Sequence, residues 1–365
     1  MKKAIAFIVI TILFQQLQAQ QLHYIFQNGE NGYQCFRIPA IITTNNATVL
    51  AFAEARKNNC SDAGDIDLVV KRSTDNGKTW SKLQVVWSDG ENTCGNPAPV
   101  VDQRTGNIFL LSTWNLGTDH ESDIINQKSK DTRRIFLLSS TDDGINWSSP
   151  KEITKDVKQD DWTWYATGPV NGIQIRKGRY KNRLVIPCDH IEAATKKYFS
   201  HIIYSDDGGN NWKLGGSTPQ DKVNECTVAE LPGKTLMLNM RNYSGNKLRQ
   251  VSLSKDGGIT WTNLKADTAL PEPICQGSLL WYSFPKQKSF LAFSNPDNKT
   301  GRTNMTIKIS YNKGRSWFIK KVLYNGPSAY SNLVVMPNGN LGCLFEAGLK
   351  SPYEGIVFEE IDTGN

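Results

Sequence analysis

Ser73-Thr-Asp75-Asn-Gly77-Lys-Thr79-Trp80 is a phrase this chain repeats five times. It returns as Ser140-Thr-Asp142-Asp-Gly144-Ile-Asn146-Trp147, Ser205-Asp-Asp207-Gly-Gly209-Asn-Asn211-Trp212 and Ser254-Lys-Asp256-Gly-Gly258-Ile-Thr260-Trp261. A fifth copy, Ser310-Tyr-Asn312-Lys-Gly314-Arg-Ser316-Trp317, has Asn in place of Asp. Ser and Asp side chains bond nearby backbone N–H groups, and Gly supplies the positive φ of a tight turn. The Trp buries a large ring beside that turn. Short β-rich runs lead into the phrase: Ile66–Val70, Arg134–Leu138, His201–Tyr204 and Met305–Ile309. No long helical period appears after residue 20. Successive copies start 67, 65, 49 and 56 residues apart, which suits one four-stranded sheet per copy. The expected fold is therefore all-β, a six-bladed β-propeller of four-stranded antiparallel blades. The sixth blade has no phrase and is expected to include both chain ends, with Gln21–Phe26 pairing onto the last blade and closing the ring.

Residues 1–20 read as a signal peptide. Lys2 and Lys3 precede the apolar run Ala4–Phe14, and Leu17-Gln-Ala19 offers a small-residue cleavage site. Export follows as an expectation, to the periplasm or beyond, with residues 21–365 forming a single domain. No other segment is apolar enough to cross a membrane. Beyond the leader, 40 basic residues face 35 acidic ones. That mild excess suits an anionic ligand, and the absence of a polybasic cluster argues against nucleic acid. Seven Cys leave at least one thiol unpaired, and a disulfide among Cys35, Cys60 and Cys94 is open. Four His without ligand spacing make a zinc site unexpected.

The turn phrase carries no converging reactive groups. Those must come from residues scattered along the chain and polar within apolar runs. Arg37 lies in Phe36-Arg37-Ile38-Pro39, Arg241 ends Leu236–Met240, and Arg302 precedes Thr303–Met305. Glu54-Ala-Arg56 follows an apolar run, and Asp62, Asp65 and Asp67 crowd the next loop. Glu225 precedes an apolar stretch, Tyr330 opens Ala329–Val335, and Glu346 closes Leu341–Phe345.

This set resembles the bacterial exo-α-sialidase (neuraminidase) family, whose Asp boxes the repeated phrase is similar to and whose Phe-Arg-Ile-Pro motif Phe36–Pro39 matches. The resemblance runs from about residue 27 to 346 and implies retaining hydrolysis of terminal α-linked sialic acid from glycoconjugates. It implies that Arg37, Arg241 and Arg302 clamp the sugar carboxylate through charge-assisted bonds. Glu346 would orient Arg37, and Asp62 would be the acid/base, with Asp65 and Asp67 as nearby alternatives. Tyr330 would be the nucleophile and Glu225 its base, as in the tyrosine-using exception among glycosidases. A neutral phenol meets less repulsion than a carboxylate at a carbon that already bears one. Arg56, Asn96, Trp162 and Trp164 would contact the sugar, although Val170-Asn171 departs from the family's usual Gly-His. No metal or organic cofactor is implied, and a monomer is expected. Two other readings share these arginines: a trans-sialidase, and a non-catalytic sialic-acid-binding propeller.

Overall fold

The computed structural model describes residues 22–364. The expected signal peptide lies outside them. The described chain is all-β apart from brief helical turns such as Glu121–Ile125 and Thr154–Val157. No helix among the described residues is long and apolar enough to cross a membrane.

Strand pairing divides the chain into successive antiparallel meanders of four principal strands. The first runs Cys35–Thr43, Val49–Arg56, Ile66–Ser73, Gln84–Trp87. The second runs Thr93–Val101, Ile108–Asn115, Arg134–Ser140, Lys151–Glu152. The third opens with Trp162–Thr167 and the short Ile173–Gln174, then continues through Leu184–Glu192, Tyr198–Ser205 and Lys213–Ser217. The fourth spans Val223–Leu231 to Lys265–Pro271. The fifth is Ser278–Tyr282, Phe290–Pro296, Thr303–Ser310 and the first half of Phe318–Val335. The second half of that 18-residue strand opens the sixth, followed by Leu341–Ala347, Gly355–Ile361 and Tyr24–Gln27.

Hydrogen bonding joins these meanders into four sheets rather than six separate ones. One bridge, Ile66↔Thr93, fuses the first two, and the long strand fuses the last two. Apolar clusters fill the spaces between neighbouring meanders. Leu50, Phe52 and Val70 of the first meet Ile108, Leu110 and Leu138 of the second. Phe36, Ile41 and Ala51 of the first likewise meet Val334, Leu344 and Ile356 of the sixth.

The repeated turn supplies part of that packing. In the first copy Gly77 N–H donates to Ser73 Oγ at 2.8 Å and Thr79 N–H to Asp75 Oδ1 at 2.9 Å. The Thr79 hydroxyl and N–H hold the Asp75 pKa down at about 2. The fifth copy keeps the design, because Asn312 Oδ1 accepts from Ser316 N–H at 2.9 Å. The tryptophan reaches the preceding meander: Trp80 packs edge-on to Phe358, Trp147 to Phe52 and Trp212 to Phe109. The turn glycine has φ of 80°, 76° and 89° in those copies. A Cβ at Gly209 would fall 2.3 Å from the Phe109 ring, so the residue must be glycine for packing as well as for φ.

Polar side chains tie the first strands together. Asn332 Oδ1 accepts from the N–H groups of Ile41 and Asn171 at 2.9 and 3.1 Å. Its Nδ2 donates to Asn171 Oδ1 and to Ser278 Oγ. One residue of the sixth meander thus bonds the first, the fifth and the entry to the third.

Candidate active site

A cavity of about 350 Å³ opens at one end of these strands. Its walls include Arg37, Arg56, Asp62, Asn96, Trp164, Glu225, Arg241, Arg302 and Tyr330, all singled out from the sequence. Glu346, the residue expected to orient Arg37, is fully buried beneath the floor.

Glu346 organises that floor. Its carboxylate accepts from Arg37 Nε at 3.0 Å and Nη2 at 3.3 Å, and from the N–H groups of Ile38 and Tyr330 at 2.9 and 3.1 Å. Two first strands are thereby held by one buried acid. Burial opposes the Arg37 charge, but Glu346, Tyr330 and Asp62 outweigh it and raise the pKa.

Tyr330 Oη donates to Glu225 Oε1 at 2.6 Å. Arg241 Nη1 reaches both Glu225 Oε2, at 2.5 Å, and Tyr330 Oη, at 3.0 Å. Burial and the Glu225 carboxylate push the phenol pKa well up, against the pull of Arg241, Arg302 and Arg37. At rest the group is therefore a neutral phenol already bonded to its proton acceptor. The guanidinium carbons of Arg37 and Arg302 lie 5.2 and 5.6 Å from the Tyr330 ring centre. Arg302 is braced by Tyr353 Oη at 2.6 Å and the Ile274 carbonyl at 3.1 Å.

Asp62 stands at the rim, its side chain 64% exposed. It pairs with Arg56 Nη1 at 2.8 Å and Arg37 Nη1 at 3.3 Å. Partial desolvation raises its pKa, but those guanidiniums dominate and lower it. Arg56 also bonds Glu54 and the Cys60 and Ser61 carbonyls, so it fixes the Asp62 loop. A disulfide joins Cys35 to Cys60, two residues before Arg37 and two before Asp62. Cys94 is a buried thiol.

The alternatives to Asp62 do not line the cavity. Asp67 accepts from Tyr33 Oη at 2.5 Å, and Asp65 is outside the cavity wall. The expected sugar contact at Trp162 is overturned. Its ring stacks on His190 at 3.4 Å inside the core, because a register shift between Trp162 and Tyr165 turns it away from the face Trp164 occupies. Asn171 bonds Asn332 and is absent from this cavity's wall.

The wall also contains residues not singled out from the sequence: Glu121, Arg133, Asp189, Asn224, Tyr243 and Tyr353. Arg133 lies under Trp164, 4.1 Å from its centre, and bonds Asn96 Oδ1 and Thr113 Oγ1. Tyr353 covers Arg37 at 4.3 Å. Asp189 was detectable by the criterion that found Arg37: a charge within the apolar strand Leu184–Glu192.

Three guanidiniums around a phenol–carboxylate pair define a pocket for an anion at which an activated oxygen can attack. A BNR repeat-like domain matches residues 47–343. A Bacteroides fragilis sialidase is 35% identical, covering 88% of this chain and 61% of its own length. An exo-alpha-sialidase of Arthroderma benhamiae is 32% identical, covering 87% of this chain and 79% of its own length. A solved Hadza microbial sialidase aligns with a TM-score of 0.85 at 32% identity, over 94% of this chain and 68% of that one. This chain belongs to the sialidase family. It spans less than two thirds of its Bacteroides relative.

Proposed function

We propose that this chain is an exo-α-sialidase that hydrolyses terminal α-linked sialic acid with retention, on a six-bladed propeller whose blades are the six meanders. Closure of the ring is supported by the apolar cluster between the sixth and first meanders and by the bonds of Asn332. The observation that carries the activity is the 2.6 Å bond from Tyr330 to Glu225 beside the guanidiniums of Arg37, Arg241 and Arg302.

The sugar carboxylate is held by Arg37, Arg241 and Arg302. That anion offsets the positive charge that keeps the Asp62 pKa low, so binding raises it and readies Asp62 as an acid. Asp62 then gives its proton to the glycosidic oxygen as that bond breaks. Tyr330 Oη forms the new bond to the anomeric carbon while its proton passes to Glu225. In the second half, Asp62 takes a proton from water, whose oxygen attacks the same carbon. The phenolic oxygen leaves and recovers its proton from Glu225. Two inversions at one carbon give retention.

The test is an assay with a fluorogenic α-sialoside on wild type, Tyr330→Phe and Asp62→Ala. The expected result is turnover by wild type and a loss of at least a hundredfold in Tyr330→Phe, the contribution of an activated nucleophile. No turnover by wild type removes the enzymatic reading. Full activity in Tyr330→Phe removes the tyrosyl step. Product analysis with lactose present separates hydrolysis from transfer, since sialyllactose would mark a trans-sialidase. Export directed by residues 1–20 and a monomeric state belong to the same proposal.

A further inference from the structure

Most charged groups in the cavity are paired: Arg37 with Glu346, Arg56 with Glu54 and Asp62, and Arg241 with Glu225. Asp189 differs. It lines the cavity, it is 1% exposed, and neither of its carboxyl oxygens has a hydrogen-bond partner. Buried polar groups are nearly always satisfied, and leaving one unpaired forfeits its hydration without return. Its surroundings do not relieve that. Burial pushes its pKa well up, the Glu225 and Glu121 carboxylates add to this, and Arg241 and Arg133 pull less strongly the other way. The group is thus a carboxylic acid with one O–H donor and free acceptor capacity. On the wall of the same cavity, Asn224 Oδ1 is a second buried atom without a partner. Asp189 is held in place from behind, because its neighbour His190 bonds His201 Nδ1 at 3.0 Å and stacks on Trp162.

We propose that Asp189 is a specificity-determining residue, whose unpartnered carboxyl hydrogen-bonds an uncharged donor–acceptor arm, a hydroxyl or an amide, of the anionic sugar held by the arginines. This rests on the sialoside reading above. A sialic acid has two such arms, a short polyhydroxyl tail and an N-acyl amide. Both can donate to and accept from a neutral carboxyl. A fully apolar arm there would leave the acid unpaired, and is selected against.

The test compares wild type, Asp189→Asn and Asp189→Val on three α-sialosides. One is intact, one has its tail shortened by periodate and borohydride, and one has a hydroxyl in place of the amide. Thermal melting checks that each variant is folded. On the intact substrate Asp189→Val is expected to raise KM about tenfold at nearly constant kcat, while Asp189→Asn, which keeps donor and acceptor, stays within about threefold. In wild type, removing the recognised arm raises KM by a similar factor. In Asp189→Val that loss disappears, and the arm whose effect vanishes is the one Asp189 holds. If neither truncation couples to position 189 while wild type still cleaves the intact sialoside, the inference falls and the activity stands. If Asp189→Val does not fold, an Asp189→Asn variant with at least tenfold weaker binding of the intact substrate and unchanged melting also overturns it. A wild type that neither binds nor cleaves the intact sialoside overturns both readings.

Discussion

The Cys35–Cys60 disulfide links the strand that carries Arg37 to the loop that carries Asp62. Replacing Cys60, at the exposed end of the link, with Ser tests what it contributes. The two cysteines are 25 residues apart in sequence. Freeing a loop of that length returns about 12 cal/mol/K to the unfolded chain, or about 3.5 kcal/mol at 25 °C. Unfolding entropies near 2.1 cal/mol/K per residue make this a fall in Tm of roughly 5 °C for a domain of this size. Activity has a second support, since Arg56 still bonds the Cys60 and Ser61 carbonyls at 2.6 and 2.9 Å. We therefore expect kcat to fall less than tenfold in Cys60→Ser, against the much larger loss in Asp62→Ala. Scanning calorimetry with and without reductant reads the stability term. Reductant is expected to lower the wild-type Tm to that of Cys60→Ser and to leave the variant unmoved. A Cys60→Ser protein melting with oxidised wild type refutes the loop-closure argument. A kcat as low as that of Asp62→Ala refutes the claim that Arg56 holds the loop independently.

If bound carboxylate raises the Asp62 pKa, the alkaline limb of kcat lies at higher pH than that of kcat/KM, because the acid form is lost as pH rises through a lower pKa in the free enzyme. Rate profiles from about pH 2.5 to 8 with sialyllactose check this, and coincident limbs would sink it. Gly209→Ala sets a Cβ against the Phe109 ring at φ 89°, whereas Gly314→Ala in the fifth copy has φ 84° and nothing nearer than 3.5 Å. The first is expected to cost about 2–4 kcal/mol in urea unfolding and the second about 1–2 kcal/mol, the strain without the clash. Glu346→Gln leaves the buried Arg37 guanidinium without its carboxylate, with an expected loss of about 3–5 kcal/mol and a higher KM for sialosides, measured by urea unfolding and steady-state kinetics.

The turn phrase was readable because everything it needs is local. Ser73, Asp75, Gly77 and Thr79 bond one another within seven residues. What its tryptophan packs against was not readable, because Phe358, Phe52 and Phe109 belong to other meanders. Within the cavity, charges flanked by apolar residues stood out, which is why Arg37, Arg241 and Glu225 were found. Arg133 and Glu121 sit in polar sequence and become wall residues only when distant strands meet. Trp162 and Trp164 look equivalent in a strand of period two, and only the irregular pairing with Leu184–Glu192 separates them.

The strand Phe318–Val335 has a consequence for how this chain can be re-engineered. It runs from Phe318, 57% exposed, to the residues around Tyr330 in the cavity. Where it passes from the fifth meander to the sixth there is no connecting loop. Tyr324 and Pro327 face Met305 and Thr303, and the next residue, Ser328, faces Ala347. Surface loops are where guest domains and new chain ends are best accepted. A library of random insertions should therefore give tolerated sites between the other meanders and a gap at residues 324–328, where any guest would have to split a strand shared by two neighbours.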